Sequence, residues 1–325
     1  MQKHHKNTLW LSLLLLVLAV ISIPALHLLK TKLNEHPKIE QMPSGYRDDV
    51  SQLNKTKVHK IVDVAEDPVA MQNQLKEILI YAKQHHLKVS ISGAKHSMGG
   101  HTIYPDGIAL NMLPYNHMNL DEQSSILSIG SGATWQQALQ YLDGFGKSIA
   151  VMQSFSDFSI GGSLSVNGHG WQKSSPPISS SVKSFTLMKA NGEIVNCSRT
   201  ENPELFKLVI GGYGLFGIIL DLQIKVVDNA TLKFHSVAID PQQYTENYQK
   251  LVSDKPQVQF AYGRLRISDK HFLEQATLNY FTKTDEKPMS LMQQQSKNAE
   301  VRRMYFVVQW EMNMVSAYAG IWRAV

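Results

Sequence analysis

The sequence predicts an α+β fold, and three local patterns support this class. The segment EDPVAMQNQLKEILIYAKQHH begins with Asp67, which can cap a helix, and Pro68, which fits the first turn; apolar residues then recur at helical spacing. Asn191 and Gly192 separate two apolar-rich runs and predict a β-hairpin, because both positions of a two-residue turn need positive φ. Residues 218–227, IILDLQIKVV, alternate like a half-buried strand.

The other segments extend this pattern along the chain. SILSIGSGATWQQALQYLDGFG predicts a further strand, turn and helix, with Thr134 as the cap. From about residue 229 three alternating segments, FAYGRLRIS, ATLNYFTKT and YFVVQWEMN, predict a second domain dominated by sheet. The chain has 325 residues, which is enough for two domains of ordinary size.

Charge and cysteine content exclude several classes of protein. Five lysines and two glutamates in residues 1–40 account for +3 of the total net charge of +5. The rest of the chain is too weakly charged to indicate a nucleic-acid partner. Cys197 is the only cysteine, so neither an internal disulfide nor a cysteine-based metal cluster can form. The pattern favours a small buried residue in the hairpin over a reactive thiol.

The N-terminus predicts a membrane anchor. Residues 8–29, TLWLSLLLLVLAVISIPALHLL, are almost wholly apolar and follow the basic start MQKHHK. About 20 such residues span a bilayer as a helix. A cleaved signal peptide is the alternative, but no A-x-A-like cleavage site follows the apolar run. We expect a single-pass anchor over residues 1–30 and a polar linker over residues 31–54; lysines on both sides of the span leave its orientation open.

Three glycine clusters lie near residues 93–101, 161–170 and 211–217. Each adjoins a predicted strand or helix end, as a ligand that runs across several loops would require. The third cluster contains a literal G-x-G-x-x-G, but a predicted helix capped by Asn202 precedes it and a strand follows it. This order is the reverse of a dinucleotide-binding Rossmann unit. The glycines still permit close approach of the backbone to a ligand.

The histidines in the first cluster leave several functions open. His96 and His101 could be metal ligands, but only Asp106 lies nearby and no H-E-x-x-H pattern occurs. Ser97 could be a nucleophile, but the G-x-S-x-G elbow is absent. The remaining alternatives are a packed or solvent-facing histidine and a loop wrapped around a cofactor.

A resemblance to a known family favours the cofactor. GAKHSMGG at residues 93–100 resembles the first flavin-contacting loop of the PCMH-type FAD-linked oxidases of the vanillyl-alcohol oxidase superfamily. Its members include alditol and sugar-lactone oxidases, cytokinin dehydrogenases and berberine-bridge-like enzymes. LSIGSGATWQQAL, SIGGSLSVNGHG, VKSFTLMKANGEIVNCS and ENPELFKLVIGGYGLFGIILDLQIKV resemble later parts of the same domain, in the same order.

The resemblance implies a fold and a cofactor. Residues 55–228 would form a PCMH-type FAD-binding domain of two α/β subdomains, and residues 229–325 a partial, sheet-based substrate (cap) domain. In many relatives the histidine of the first loop is bonded to the 8α-methyl group of the flavin; His96 occupies that position, and His101 is the second candidate. The cofactor-binding residues implied are Gly93, Ala94, Lys95, His96, Ser97, Gly99, Gly100, His101, Ser159, Gly161, Gly162, Ser165, Asn167, Gly168, His169, Gly170, Gly212, Gly217 and Ile218. No metal is expected.

The cap domain supplies the candidate catalytic residues. Alternation in FAYGRLRIS places Tyr262 and Arg264 on one face, which would suit a polyol, a sugar acid or a carboxylate; a solvated sheet face is the alternative. The expected reaction is oxidation of an alcohol or sugar-like substrate, with oxygen, a quinone or a cytochrome as electron acceptor. Only about 97 residues follow the FAD domain, fewer than in relatives. A truncated or degenerate flavoprotein-like domain with a binding role is therefore the second hypothesis.

Overall fold

The computed structural model describes residues 42–173, 175–267 and 272–286, together with five exposed helical positions nearer the N-terminus (22, 26, 29, 30 and 33). Most of the predicted anchor, and the predicted strand at residues 305–313, lie outside the described residues. Within the described part of the chain, no helix is long and apolar enough to cross a membrane. Residues 42–287 form one compact unit.

The first layer is a three-stranded parallel sheet with a crossover helix. Strands β3 (Lys60–Asp63), β4 (Val89–Ser92) and β5 (Ile108–Asn111) pair in the order β3-β5-β4, and helix α1 (Pro68–Gln84) connects β3 to β4. As predicted, the Asp67 side chain caps α1 and Pro68 begins it. The buried face of α1 packs on the sheet through Met71, Leu75 and Ala82. The carboxyl ends of β4 and β5 consequently meet at one edge of the sheet.

The second layer is a six-stranded sheet that is antiparallel throughout. Its path is β10-β9-β11-β7-β6, and β8 pairs with the end of the long strand β11. The strands are β6 (Met118–Asp121), β7 (Ile126–Gly130), β8 (Lys147–Ile149), β9 (Val182–Met188), β10 (Ile194–Ser198) and β11 (Ile218–Asp228). Its helices are α2 (Trp135–Asp143), α3 (Ile160–Ser165) and α4 (Pro203–Val209). Thr134 caps α2 as predicted, in a capping box with Gln137.

Two predicted local features differ in detail from the structure. The β9–β10 hairpin is confirmed, but of its two predicted turn residues only Gly192 has positive φ, at +81°. The connection is longer than a two-residue turn, because Lys189 N donates to Glu193 O. Helix α4 begins at Pro203, but Asn202 has a left-handed backbone and its side chain makes no cap hydrogen bond. Its Nδ2 donates to Asn196 O instead, which ties the helix start to β10.

Cys197 is fully buried in the core of the second layer, as predicted. Burial raises the pKa of its thiol, and the nearby carboxylate of Glu201 adds to the effect. The same core holds the Trp135 ring, whose Nε1 donates to Ser163 Oγ at 2.9 Å. A buried neutral thiol is a structural group, because reaction as a nucleophile requires the thiolate.

The sheet-rich segment after β11 forms a three-stranded antiparallel sheet. Strands β12 (Leu232–Ile239), β13 (Val258–Leu265) and β14 (Ala276–Lys283) pair in the order β12-β14-β13. Helix α5 (Tyr244–Tyr248) and a π-helical turn (Gln249–Ser253) connect β12 to β13. The FAYGRLRIS and ATLNYFTKT segments are thus strands as predicted, whereas β12 was not anticipated.

Part of the predicted linker is folded. Strand β1 (Tyr46–Arg47) pairs with β2 (Thr56–Lys57), and Asp48 and Asp49 between them are buried. The segment is polar and rich in turn residues, and this composition predicted a linker. It can nevertheless fold, because local backbone N–H groups donate hydrogen bonds to its carboxylates.

Candidate functional site

The predicted glycine loops meet at one cleft. It has a volume of about 240 Å³ and lies where the carboxyl end of β4 meets helix α3 and the loop before β11. Ligands of parallel sheets bind outside the carboxyl ends of the strands, so the position is typical of a cofactor site. Eight predicted cofactor residues line the cleft, namely Gly93, Ser97, His101, Ser159, Gly161, Gly162, Ser165 and Gly217.

The first loop presents backbone donors. Among the described residues, none of the amides from Gly93 to Gly99 donates a hydrogen bond. Lys95 within this run has a left-handed φ of 60°. A run of free amides bent by such a residue can accept an anionic ligand. Burial lowers the pKa of Lys95 and Arg47 adds to the shift, while the carboxylates of Asp48 and Asp49 oppose it.

Close packing between the loops explains two of the glycines. A Cβ atom at Gly93 would lie 2.0 Å from Ser159 Oγ, and one at Gly161 would lie 2.7 Å from Ser131 Cβ. Both distances are shorter than any real contact. The first loop, the turn at residues 130–132 and the start of α3 can therefore converge on the cleft only without these side chains.

Two buried hydroxyl groups of the cleft lack partners. Ser131 Oγ and Thr102 Oγ1 are buried and, among the described residues, make no hydrogen bond. Both residues line the cleft. Because an unsatisfied buried polar group is costly, it indicates a position where a ligand completes the hydrogen bonding. Hydroxyl donors beside free amides and glycines fit the phosphate and ribityl oxygens of a dinucleotide cofactor such as FAD.

Tyr115 fixes the turn that presents Ser131. The Tyr115 carbonyl accepts from Gly132 N at 3.0 Å, and its hydroxyl donates to Asp221 Oδ1 at 2.9 Å. Burial and the adjacent Asp221 carboxylate raise the pKa of Tyr115, so the phenol keeps its proton. Ser131 N in turn donates to Leu220 O on β11. The turn is thus fixed to two elements that are distant in the sequence.

The third loop closes one side of the cleft. Tyr213 N donates to Ser165 O at 2.9 Å, and the Tyr213 and His101 rings lie 5.9 Å apart. Tyr213 has a left-handed φ of 52°, and Asn167 in the second loop has 46°. With Lys95, each of the three loops therefore contains one non-glycine residue in this sparsely populated conformation, which is common at ligand sites.

The cleft does not include every predicted cofactor residue. His96 is not among its lining residues; the ring packs against Phe158, with centroids 4.5 Å apart. His101 lines the cleft instead. The Ile218 side chain is buried in the core of the first layer. The other predicted residues that do not line the cleft are Ala94, Lys95, Gly99, Gly100, Asn167, Gly168, His169, Gly170 and Gly212.

The candidate catalytic pair is connected to the second loop through Trp171. The indole ring stacks on Tyr262, with centroids 4.1 Å apart, and Arg264 Cζ lies 5.3 Å from the Tyr262 centroid. Ala261 N also donates to Trp171 O at 2.9 Å. Neither Tyr262 nor Arg264 lines the cleft. The sheet of β12, β13 and β14 is thereby joined directly to the end of the second glycine loop.

Sequence reasoning missed several cleft residues. They are chiefly Thr102, Tyr104, Ser131, Tyr213, Gly214 and Leu215. Ser131 lies in the GSGATW segment, whose glycines were a usable signal. Thr102 and Tyr104 have no such signal, because only the tertiary fold turns them toward the cleft. In the described part of the chain, no group of three or more histidine, cysteine or acidic residues could hold a metal ion.

Comparison with known proteins identifies the domain. Residues 69–198 match the family model described as FAD binding domain. Cytokinin dehydrogenase 2 of Arabidopsis thaliana is 29% identical over 51% of this chain and 34% of its own length. L-galactono-1,4-lactone dehydrogenase of the same plant is 26% identical over 50% of the chain and 28% of its own length. L-gulonolactone oxidase of Mus musculus is 25% identical over 47% of the chain and 35% of its own length.

The glycine-rich cleft and the family match define an FAD-binding domain. The domain and its relatives are consistent with the PCMH-type FAD-linked oxidases of the vanillyl-alcohol oxidase superfamily, so the predicted resemblance is confirmed over these residues. The chain spans about a third of the length of these three relatives. The match reaches from α1 through β10, which includes the first two glycine loops and the turn that presents Ser131.

Proposed function

We propose that the protein is an FAD-dependent oxidoreductase that binds its cofactor along the cleft. The observation that carries this proposal is the convergence of three glycine loops on one cleft, where Ser131 Oγ and Thr102 Oγ1 are buried without a partner among the described residues. The FAD-binding domain match supports the identity of the cofactor.

Different residues of the cleft would bind the polar and the apolar parts of the cofactor. The free amides of residues 93–99 and the two hydroxyl groups would donate to anionic and hydroxyl oxygens. Val89, Ile91 and Met112 supply apolar lining that excludes water from the bound group. When bound, FAD supplies an acceptor for the hydride that the substrate loses.

We further propose that a histidine of the first loop bonds to the flavin. His96 occupies the position that the family resemblance implies, and a glycine-rich backbone on both sides of it imposes little steric demand. His101 is the alternative, and its position in the lining of the cleft supports it. In that bond a ring nitrogen of one of these histidines would replace one hydrogen of the flavin 8α-methyl group; the protons of the broken C–H and N–H bonds would go to solvent, and the two electrons would pass through the flavin to the electron acceptor proposed below.

For the substrate we propose an alcohol, a polyol or a sugar-like molecule. Arg264 can pair with a carboxylate or hydroxyl group, and the stacked rings of Trp171 and Tyr262 offer an apolar face to a sugar ring. Two of the relatives are named for sugar lactones, which supports this class. Another is named for a cytokinin, so cytokinins are the second class to test. We also propose that residues 8–29 attach the protein to a membrane. The proposed electron acceptor is oxygen, a quinone or a cytochrome.

The test is flavin retention after acid denaturation of the full chain. Yellow fluorescence that stays with the wild type and is lost in either His96→Ala or His101→Ala would identify the bonded histidine. Flavin that acid releases from the wild type would support the cofactor and rule out the covalent bond. A chain that takes up no FAD on reconstitution would overturn the proposal. A flavin that binds but is not reduced by any alcohol, sugar or cytokinin would favour a binding role only.

A further inference from the structure

A short segment before the FAD-binding domain contacts its first loop. This segment, residues 46–57, consists of β1, β2 and the turn between them, and we call it the N-terminal clasp. Val58 N donates to Gly45 O and Asp106 N donates to Lys57 O, which fix the clasp to the chain on either side of it. The family model match begins after the clasp, at residue 69.

The clasp contacts the first loop on both sides of His96 and Ser97. Before them, Val50 N donates to Lys95 O at 3.1 Å. After them, Gly100 N donates to Asp49 Oδ2 at 2.9 Å. These two hydrogen bonds, at Lys95 and Gly100, fix the second half of the stretch whose amides are free for a ligand.

The Asp49 carboxylate is the centre of these contacts. It is only 4% exposed, and it accepts four hydrogen bonds. Ser51 N and Ser51 Oγ donate to Oδ1, while Asn54 Nδ2 and Gly100 N donate to Oδ2. Asn54 Nδ2 also lies 3.5 Å from Met98 O, a third contact with the loop. Burial raises the pKa of Asp49, but the hydrogen bonds outweigh it and hold the pKa below its ordinary value.

We infer that Asp49 is a positioning residue for FAD: its carboxylate fixes the first loop in the conformation that presents free amides and His101 to the cofactor cleft. The inference rests on the proposed function, because it takes FAD as the ligand. The positioning of the loop by Asp49 can be tested in the flavin-free chain. Asp49 acts through the loop and does not itself line the cleft.

The Asp49→Asn substitution tests this inference, because both carboxylate oxygens of Asp49 accept hydrogen bonds. In Asp49→Asn, an amide nitrogen at Oδ2 would face two donors, Gly100 N and Asn54 Nδ2, and could accept from neither. If the amide rotates, Ser51 N loses its acceptor instead, while the Ser51 hydroxyl can accept from the new amide group. A buried donor left without an acceptor costs enough free energy to weaken loop ordering by roughly tenfold.

The matched control is Asp48→Asn. Asp48 is 5% exposed, lies in the same clasp and accepts from Asp49 N and Asn54 N. No hydrogen bond joins its side chain to the described residues of the first loop. Asn54→Ala is a second test variant, because it removes the amide that bonds Asp49 and approaches Met98 O.

The experiment measures hydrogen–deuterium exchange in the flavin-free full chain and FAD uptake on reconstitution. We expect Asp49→Asn to speed exchange of the Gly100 and Val50 amides, whose hydrogen bonds hold the first loop, by about tenfold and to raise the half-saturating FAD concentration similarly, with exchange in α1 unchanged. Asp48→Asn removes the same negative charge near Lys95 but no hydrogen bond to the loop, so it should change both quantities far less. Asn54→Ala should shift both in the same direction as Asp49→Asn, and it decides the matter if Asp49→Asn does not fold.

Three outcomes separate the two proposals. Faster loop exchange in Asp49→Asn with no FAD uptake by the wild type would overturn the flavin proposal and keep the positioning of the loop. Wild-type FAD uptake with unchanged loop exchange in Asp49→Asn and Asn54→Ala would overturn the role of Asp49 and keep the flavin. Equal effects of Asp48→Asn and Asp49→Asn would reduce the clasp to a general stabilising element and also overturn the inference.

Discussion

The Trp171 indole stacks on the Tyr262 phenol ring at a centroid distance of 4.1 Å, with 23° between the planes. The contact joins the end of the second glycine loop to strand β13 of the cap sheet. Aromatic pairs of this kind contribute about 0.5–1.5 kcal/mol beyond the apolar area they bury. The stack therefore couples the position of the cap sheet to the loop that approaches the cleft.

Trp171→Ala should lower the free energy of unfolding by at least that amount, about 0.5–1.5 kcal/mol, because it removes the stack and its buried area. Tyr262→Phe is the control, since it preserves the ring contact. Denaturant unfolding of both variants measures the difference. Equal stability of the two variants would show that the stack does not hold the cap sheet.

Arg264→Ala should reduce substrate turnover without changing FAD uptake. Arg264 is exposed, lies over the Tyr262 ring and does not line the cleft, so its loss would remove the proposed substrate contact and leave the cofactor site intact. Steady-state kinetics with a sugar-acid series should show a KM increase of about tenfold for carboxylates. A fall in FAD uptake would instead place Arg264 at the cofactor.

Gly161→Ala should cost about 1–3 kcal/mol of stability or of FAD binding, because the new Cβ would lie 2.7 Å from Ser131 Cβ. Gly144→Ala is the matched control: its backbone is helical, and a Cβ there would meet only Tyr141 O at 3.6 Å. Thermal unfolding with and without FAD compares the two. The packing argument would be wrong if both variants behaved alike.

Ser131→Ala should have opposite effects on stability and on binding. In the flavin-free chain it removes a buried hydroxyl without a partner, so stability should rise or stay unchanged. FAD uptake should weaken by about two- to tenfold, for the loss of one hydrogen bond. Ser163→Ala, which loses its bond from Trp135 Nε1, should instead be destabilising. A loss of stability in flavin-free Ser131→Ala would show that the hydroxyl has a structural partner.

Asp49 predicts a pH dependence of stability. Its folded pKa is held below the ordinary value of 3.8, so its contribution is complete above that value and is lost as the pH falls through the lower folded pKa. The stability difference between the wild type and Asp49→Asn should therefore be constant from pH 5 to 8 and shrink below about pH 4. Denaturant unfolding across this range measures it. A difference that already shrinks at pH 6 would assign the effect to another group.

The sequence by itself determined the local elements of this protein. The cap at Asp67, the capping box at Thr134 and the hairpin around Gly192 form from residues that are neighbours in the chain, so short patterns predict them. The glycine clusters likewise indicated where the backbone would approach a ligand. Their order along the chain carried the resemblance to the FAD-linked oxidases, which the domain match confirmed.

Only the tertiary structure decided which side chains share the cleft and which do not. His101 faces the cleft while His96 packs against Phe158, although both lie in the same loop. Ser131 becomes a buried, unpartnered hydroxyl because Tyr115 and β11 fix its turn from distant parts of the chain. Asp49, in a segment that composition assigns to a linker, is buried and accepts a hydrogen bond from Gly100 N of the first loop. The physical reason is common to all three: burial and the direction of a side chain are set by contacts between segments far apart in sequence, whereas short patterns encode only local hydrogen bonds and periodicity.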